Sequence, residues 1–311
     1  MSSDCPVCGA PMRGPVAGFR YDCPQCGYAR AALSVAIADA PTGAALREDD
    51  REAALAPLRR RNFETVLDRL ALCAPPPARL LEVGCAHGWF LDAAQRRGYA
   101  VQGVEPDRAI GAQAVARGHA VALGFFPDAL PDGAKFDVVA FNDVFEHLPD
   151  PRAALGAVHG MLREGGVLAI NLPSSRGAFY RIAEALRRCG WRAPHDRLWQ
   201  AGFPSPHLSY FHPEALARLA RSAGFSELER QALPSLAREG LWQRLRYDAR
   251  ASWLSCAVTW TGVSVAAPLL RRLPSDITLQ LFRREPAGAA PQREAASTGA
   301  RASAGVTTAT R

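Results

Sequence analysis

A short apolar run followed by a glycine-spaced turn constrains the fold of this 311-residue chain more than any other feature. The stretch LLEVGCAHGWFL covers residues 80–91, with Glu82 in the apolar run and Gly84 and Gly88 in the turn. Glycine allows a backbone to pass close to a ligand, and the first N–H groups of a following helix are available to polar groups. The stretch therefore predicts a strand, a turn and a helix around a nucleotide-type cofactor.

The glycine spacing distinguishes two kinds of cofactor. Dinucleotide folds use G-x-G-x-x-G, whereas Ala86 stands here where a middle glycine often lies. A second apolar stretch over residues 99–104 ends at Glu105-Pro106-Asp107, and an acid about twenty positions beyond the turn suits the hydroxyls of a ribose. The plainer interpretation is an ordinary βαβ turn with a chance acid, and the wider pattern favours the cofactor site.

Two later segments complete a set of motifs. KFDVVAFNDVFEHLPD (135–150) combines a buried strand with a polar end, and MLREGGVLAINLP (161–173) gives a helix end, a Gly-Gly turn and a strand. Together with LLEVGCAHGWFL and GVEPD, they resemble the class I S-adenosylmethionine-dependent methyltransferases in order and spacing, over roughly residues 60–285. Within that family the chain is similar to the branch that includes ubiquinone-type O-methyltransferases and many sugar or secondary-metabolite methyltransferases.

The resemblance implies an S-adenosylmethionine site built from the matching motifs. Its residues would be Glu82, Gly84, Cys85, Gly88, Glu105, Pro106, Phe126, Asn142, Asp143 and Val144. Glu105 would hold the ribose, and residues 142–144 would lie beside the sulfonium. Adenine would pack near Phe125 or Phe126, although no acid follows Gly124, where many relatives carry one.

The resemblance also implies an acceptor-side pair, Glu146-His147. Some relatives use such a pair near the acceptor, as a base or as ligands of a divalent metal, and neutral imidazole suits proton removal at physiological pH. The alternative is that His147 caps or orients its loop, and the sequence does not separate the two. His207 is a second candidate base with weaker support.

Two Cys-x-x-Cys pairs near the N-terminus predict a metal module over residues 1–30. Fourteen residues separate the pairs, which supply four thiolates for tetrahedral Zn²⁺: Cys5, Cys8, Cys23 and Cys26. A redox dithiol is disfavoured because that motif usually occurs once. So small a module is expected to need its metal to fold. The favoured role is a folding staple or a cap on the substrate side, and the alternative is recognition of RNA or protein.

Bulk properties add few constraints. The formal charge is +7, but the arginines are scattered, so a nucleic-acid partner is disfavoured. The polar start MSSDC has no apolar leader, and cysteines in a metal-binding pattern favour a reducing cytoplasm.

Alternating strands and helices predict an α/β fold with a doubly wound, mostly parallel, seven-stranded sheet. Strands are expected at 79–84, 100–104, 119–123, 136–141 and 166–172, and the resemblance implies an antiparallel edge strand at 276–282. Helices are expected at 51–73 and 212–223. The predicted divisions are a linker and helix at 31–75, a methyltransferase domain at 76–285 with a lid at 174–212 and an apolar helical insertion at 236–273, and a disordered tail at 286–311.

Residues 251–270 carry no charge and are long enough to cross a bilayer. A span would separate strand 276–282 from its sheet, so a buried or dimer-forming helix is favoured, followed by a membrane-surface patch that would make the protein peripheral at the membrane.

The leading functional hypothesis is O-methylation of a small molecule, sugar or lipid-linked intermediate. One alternative is RNA methylation, with the zinc module recognising RNA; the scattered basic residues disfavour it. Another is a non-catalytic protein that binds S-adenosylmethionine, at which the missing middle glycine hints weakly.

Overall fold

The computed structural model of this chain describes residues 4–37, 48–235, 241–242, 252–270 and 272–286. Its strands, numbered along the chain, are β1 (Arg13–Val16), β2 (Arg20–Asp22), β3 (Ala29–Ala31), β4 (Arg79–Val83), β5 (Ala100–Glu105), β6 (Val121–Leu123), β7 (Phe136–Asn142), β8 (Leu162–Pro173), β9 (Ser209–Tyr210), β10 (Phe225–Leu233) and β11 (Ile277–Arg284). The described helices are α1 (Glu48–Cys73), α2 (Trp89–Arg96), α3 (Arg108–Ala116), α4 (Pro151–Met161), α5 (Ala178–Arg188), α6 (Ala193–Leu198), α7 (Pro213–Ser222) and α8 (Trp253–Leu270), with a 3₁₀ turn at Phe145–His147.

Seven strands form one sheet in the order β10-β11-β8-β7-β4-β5-β6. The strands from β8 to β6 pair in parallel, and β11 pairs antiparallel with both β8 and β10. The α/β fold with a mostly parallel, doubly wound sheet is therefore confirmed. The expectation that the antiparallel strand lies at the edge is wrong, because β11 lies between two neighbours and β10 takes the edge.

Alternate residues of the central strands divide the core into two layers. Val138 and Ala140 of β7 face the side covered by α1 and α2, where Leu67 and Phe90 are buried. Val139 and Phe141 face the opposite side, covered by α4 and α7. The sheet is thus covered on both faces, as a parallel sheet requires.

The sequence missed β10. This strand reads FSELERQAL, and its middle residues are mostly exposed because it lies at the edge of the sheet. Charged side chains at Glu227, Glu229 and Arg230 hide the apolar alternation by which a strand is recognised. The other predicted strands are present within a few residues of their expected bounds.

The N-terminal module forms a second sheet with a strand from segment 174–212. Its order is β1-β2-β3-β9, and β9 belongs to the segment predicted as a lid. On its other side the module contacts α4, because the guanidinium of Arg152 donates from Nη2 and Nε to the carbonyl of Pro6 over 2.6 and 3.1 Å. The module is therefore bound to the large α/β domain on two sides.

Helix α8 exposes large apolar side chains. Trp253, Leu254, Val258 and Val265 are between 63 and 77% exposed, whereas Cys256 and Ser264 are buried. The expectation of a helix buried within the chain is wrong for these four positions, because their side chains are largely exposed to solvent. Contact with a second copy or with a membrane surface stays a prediction. Within the described ranges, no helix has both the length and the apolar character needed to cross a membrane.

Several expectations fall outside the described residues. They concern most of the linker (38–47), the flanks of the apolar insertion (236–240 and 243–251) and nearly all of the tail (287–311).

Candidate cofactor and acceptor sites

The glycine turn after β4 is shaped by close contacts. Gly84 has φ +73°, and a Cβ there would lie 2.5 Å from Cγ2 of Val144. Gly88 has φ +80°, and its Cβ would meet that of Ala114 at 3.0 Å. Both positions therefore require glycine. The missing Cβ at Gly84 allows the side chain of Val144 to pack directly against the turn.

Ala86, at the position without glycine, adopts the left-handed conformation nevertheless. Its φ is +44°, and its N–H donates to Oε2 of Glu105 over 2.9 Å. The turn thus keeps a conformation that glycine adopts more easily, at a cost of about 1–2 kcal/mol for a residue with a Cβ. The turn is therefore formed even though residue 86 is alanine and not glycine. This weakens the argument that the cofactor site is degenerate.

Glu105 lies at the end of β5 and is buried. Its Oε1 accepts the N–H of Asp107 over 2.9 Å, so its two oxygens connect the glycine turn to the start of α3. Each carboxylate oxygen can accept a further hydrogen bond. Pro106 follows Glu105 and is half-buried. The predicted ribose acid, Glu105, thus lies beside the glycine turn.

A chain of buried polar side chains crosses the carboxyl ends of three strands. Asn142 Nδ2 donates to Oε1 of Glu82 over 2.9 Å, and Asn171 Nδ2 donates to Oδ1 of Asn142 over 3.1 Å. Burial raises the pKa of Glu82 well above its usual range, the amide of Asn142 opposes this shift, and the charge of Glu105 adds to it. Oε2 of Glu82 has no hydrogen-bond partner among the described residues. A buried acceptor of this kind fits a cationic, hydrogen-bonding ligand.

The remaining predicted cofactor residues have different surroundings. Asp143 has φ +54°, and its carboxylate lies 3.9 Å from Nε of Arg59, so α1 reaches this loop. Cys85 packs its side chain into a small core cluster with Leu91 and Ala114, so its backbone alone belongs to the turn. The aromatic pair after β6 separates: Phe126 packs edge-on against Phe141 at 5.8 Å, and Phe125 is half exposed.

The residues that the sequence predicted for the acceptor side come together in a second cluster. Ligand atoms of Glu146, His147 and His207 all lie within 4.8 Å of one another. Nε2 of each histidine is 3.9 Å from Oε1 of Glu146, and the two imidazole rings are 4.8 Å apart. Burial raises the pKa of Glu146 well above its usual range, and the charge of Asp143 raises it further.

The hydrogen bonds assign different roles to the two histidines. His147 Nδ1 faces the carbonyl of Pro206 at 2.8 Å, so this nitrogen donates and Nε2 keeps its lone pair. His207 Nε2 accepts from the amide of Gln200 at 2.9 Å, and its Nδ1 lies 3.2 Å from Oη of Tyr210. The proton of His147 is thus placed on Nδ1, whereas Nε2 of His207 accepts an amide hydrogen bond.

A cavity of about 420 Å³ opens beside His207. Its walls come from the end of β8, from α5 and α6, and from the segment before β9, and they are mostly apolar: Pro173, Phe179, Ile182, Pro194, Leu198 and Phe203. Arg197, Gln200 and Tyr210 supply polar atoms. This size and lining are typical of a small-molecule site.

The four N-terminal cysteines also converge. Their sulfurs lie within 4.8 Å of one another, with Cys5–Cys26 at 3.5 Å and Cys8–Cys23 at 3.4 Å. Four thiolates at about 2.3 Å from a tetrahedral zinc would be separated by nearly 4 Å, so the cluster fits this ion.

Sequence reasoning missed Asn171, Arg59 and Gln200. Asn171 lies opposite Asn142 in the register of β8 and β7, which no motif spacing reveals. Arg59 lies on a helix distant in sequence from the loop that it contacts. Gln200 lies in a turn of the lid and has φ +50°.

Comparisons with known proteins agree with this geometry. The methyltransferase domain family matches residues 55–229, more than half of the chain. A ubiquinone biosynthesis O-methyltransferase of Ruegeria pomeroyi is 32% identical over 165 residues, which is 49% of this chain and 62% of that relative. One of Xanthomonas campestris pv. campestris (strain B100) is 29% identical over 220 residues, 66% and 83% of the two chains.

A solved structure shows the same fold at low identity. The cyclopropane synthase MmaA2 of Mycobacterium tuberculosis superimposes with a TM-score of 0.50 and 18% identity, over 78% of this chain and 89% of that chain. This likeness concerns the fold alone. The family match over more than half of the chain, together with the glycine turn that the structure shows, establishes that the chain belongs to the methyltransferase domain family and is a class I S-adenosylmethionine-dependent methyltransferase.

Proposed function

We propose that this protein transfers a methyl group to a hydroxyl oxygen of a small molecule, sugar or lipid-linked acceptor. The observation that carries the proposal is the cluster of Glu146, His147 and His207. It begins three residues after the Asp143 loop, and the cavity beside His207 gives it space for an acceptor. The similarity to ubiquinone biosynthesis O-methyltransferases supports the same type of chemistry.

The cofactor side would be held by the residues around the glycine turn. Glu105 would accept the ribose hydroxyls, and Glu82, oriented by Asn142, would face the cationic part of the ligand. S-adenosylmethionine, when bound, supplies an electrophilic methyl group. The protein contributes alignment of the two reactants, which accounts for much of the rate enhancement in a displacement of this type.

His147 would act as general base. Its Nδ1–H bond to the Pro206 carbonyl fixes the tautomer, so that Nε2 can take the proton of an acceptor hydroxyl. Glu146 is buried, and its Oε1 lies 3.9 Å from Nε2 of His147. The imidazolium that forms would favour the ionised form of this carboxyl, which in turn would stabilise the imidazolium. His207 and Tyr210 line the cavity and would orient the acceptor.

The same cluster supports a second role for Glu146 and His147, as ligands of a divalent metal. The geometry adds His207 to the pair expected from the sequence, because all three offer an atom within 4.8 Å. In that case turnover would require an added divalent ion, and the histidine nitrogens would bind metal instead of a proton.

We also propose that Cys5, Cys8, Cys23 and Cys26 bind a structural Zn²⁺. Their sulfur geometry fits the ion, and the following glycines close each turn, with Gly9 donating to the carbonyl of Cys5 and Gly27 to that of Cys23. Elemental analysis should find one zinc per chain, and none in a variant with Cys8→Ser and Cys23→Ser.

The experiment that tests the function is a methyl-transfer assay with labelled S-adenosylmethionine and a panel of phenols, sugars and lipid-linked alcohols, with and without divalent ions. His147→Ala should lower turnover by about 10²–10⁴-fold while cofactor affinity is unchanged. His159→Ala is the matched control, because His159 lies on α4 and packs against Phe225, away from the cluster.

The possible results separate the alternatives. Label that enters RNA but none of the small acceptors would support the RNA methyltransferase instead. Micromolar cofactor binding without transfer to any acceptor would support a non-catalytic cofactor-binding protein. Unchanged turnover in His147→Ala would remove this residue from the mechanism.

A further inference from the structure

The metal module and the acceptor cluster are connected through one short strand. Strand β3 of the module pairs with β9, so that Ala29 lies opposite Tyr210 and Arg30 opposite Ser209. The N–H of Ala31 extends this pairing by donating to the carbonyl of Leu208 over 2.9 Å. Among the described strands, β3 is the one that pairs with β9. The module thus supplies backbone hydrogen bonds to the residues that follow His207.

The connection continues to the acceptor loop. The N–H of Leu208 donates to the carbonyl of Glu146 over 2.8 Å. Two backbone hydrogen bonds therefore lead from Ala31 in the module through Leu208 to Glu146. His207 directly precedes Leu208, so the segment that pairs with β3 fixes the backbone next to both His207 and Glu146.

Two side chains reinforce the connection next to the cysteines. Oη of Tyr28 lies 2.7 Å from Oγ of Ser209, and both residues are buried. Nε2 of His212 donates to the carbonyl of Cys26 over 2.6 Å. Tyr28 and Cys26 belong to the turn that closes the second cysteine pair, so the metal and the strand are connected through the same few residues.

The module also contacts the helices that line the cavity. Arg20 of β2 is buried, and its Nη1 donates to Glu184 of α5 over 2.8 Å and lies 2.9 Å from Nε2 of His195 in α6. Residues of these two helices form part of the cavity wall. The strand and the helical wall of the acceptor site therefore both depend on the module.

We infer that the four-cysteine module positions the acceptor site, with Tyr28 and His212 as positioning residues that act through Ser209 and Cys26 on His207 and Glu146. The inference rests on the proposed function, and it assigns the module to catalysis instead of RNA recognition. A module of about thirty residues folds with its metal. Loss of zinc should then release 207–210 while the distant cofactor turn keeps its structure.

The test is hydrogen exchange of the full, zinc-loaded chain, read at the amides of residues 207–212. Tyr28→Phe removes the hydroxyl but keeps the ring that packs 4.9 Å from Phe211. It should speed exchange in this segment about fivefold, the effect of losing one hydrogen bond, and leave strand 79–83 unchanged. Tyr99→Phe is the matched control, because its hydroxyl donates to Ala74 far from the module. Zinc removal by a chelator should have a larger effect at the same amides.

Kinetics provide the second readout. Tyr28→Phe should lower kcat several-fold with unchanged affinity for S-adenosylmethionine, whereas Tyr99→Phe should change neither. Unchanged exchange at 207–212 in Tyr28→Phe, or an equal increase throughout the chain, would overturn the inference. If wild type transfers no methyl group to any acceptor, the proposed function fails, but the exchange data still decide whether the module orders the strand.

Discussion

Asn142 donates its side-chain amide to Oε1 of Glu82 over 2.9 Å and thereby joins the carboxyl ends of β7 and β4. The amide of Asn142 is itself held, because its oxygen accepts from Asn171 on β8. One oxygen of Glu82 is thus fixed, and the other has no partner among the residues that the structure describes. The buried carboxyl is oriented by the fold, and under the proposed function its protonation state should influence cofactor binding.

Cofactor affinity should therefore rise with pH. Burial raises the pKa of Glu82 in the free protein, and a cationic ligand nearby would lower it. Between the two pKa values binding releases a proton, so the affinity increases as the pH rises through that interval towards the free-state pKa. Calorimetric titration in two buffers of different ionisation enthalpy measures this proton. Glu82→Gln should bind without it, and equal proton release in that variant would contradict the assignment.

Glu105→Ala should weaken S-adenosylmethionine binding by about 10²-fold, because hydrogen bonds to a charged group contribute about 1.5–3 kcal/mol each. Its carboxylate also holds the N–H of Ala86, so part of the loss should come from the turn. The dissociation constant from calorimetry checks this. Asp137→Ala is the control, since Asp137 bonds the N–H of Arg79 and the guanidinium of Arg163 at the opposite end of the strands. Wild-type affinity in Glu105→Ala would place the ribose elsewhere.

Ala86→Gly should stabilise the protein by about 0.5–1 kcal/mol. The substitution removes the cost of a Cβ at φ +44°, and the greater freedom of glycine in the unfolded chain offsets part of this gain. Urea unfolding without cofactor measures the difference. Ala93→Gly, in the buried face of α2, should instead lower the free energy of unfolding. A lower free energy of unfolding in Ala86→Gly would contradict the assigned cost of the Cβ at residue 86.

The exposed face of α8 is predicted to contact a second copy of the chain. Large exposed apolar patches mark interaction surfaces, and this helix carries no charged side chain that would bind a lipid headgroup. We expect light scattering to give the mass of a dimer for wild type and of a monomer for Val258→Glu. Val115→Glu, at an exposed apolar position of α3, should leave the mass unchanged. A monomeric wild type that sediments with phosphatidylglycerol vesicles would favour the membrane surface instead.

Local patterns predicted most of the fold. The glycine turn and the strands around it are encoded by contiguous residues, so the sequence predicted that Gly84 and Glu105 lie at the ends of neighbouring strands, where the structure has them. Contacts that arise from strand register or from distant segments left no such pattern. Asn171 meets Asn142 through the pairing of β8 with β7, and Arg59 reaches Asp143 from α1. The position of β11 inside the sheet likewise depends on tertiary pairing.

The pairing of β3 with β9 has a consequence for the order in which the protein is assembled. Tyr28 and Ser209 are 181 positions apart. The cysteine module is therefore synthesised long before β9, the strand with which it pairs. Closing so long a loop carries a large entropic cost, which early metal binding and the intervening sheet would reduce. The module therefore cannot pair with β9 until Ser209 and Tyr210 have been synthesised, when β10 and β11 of the large sheet are still to follow.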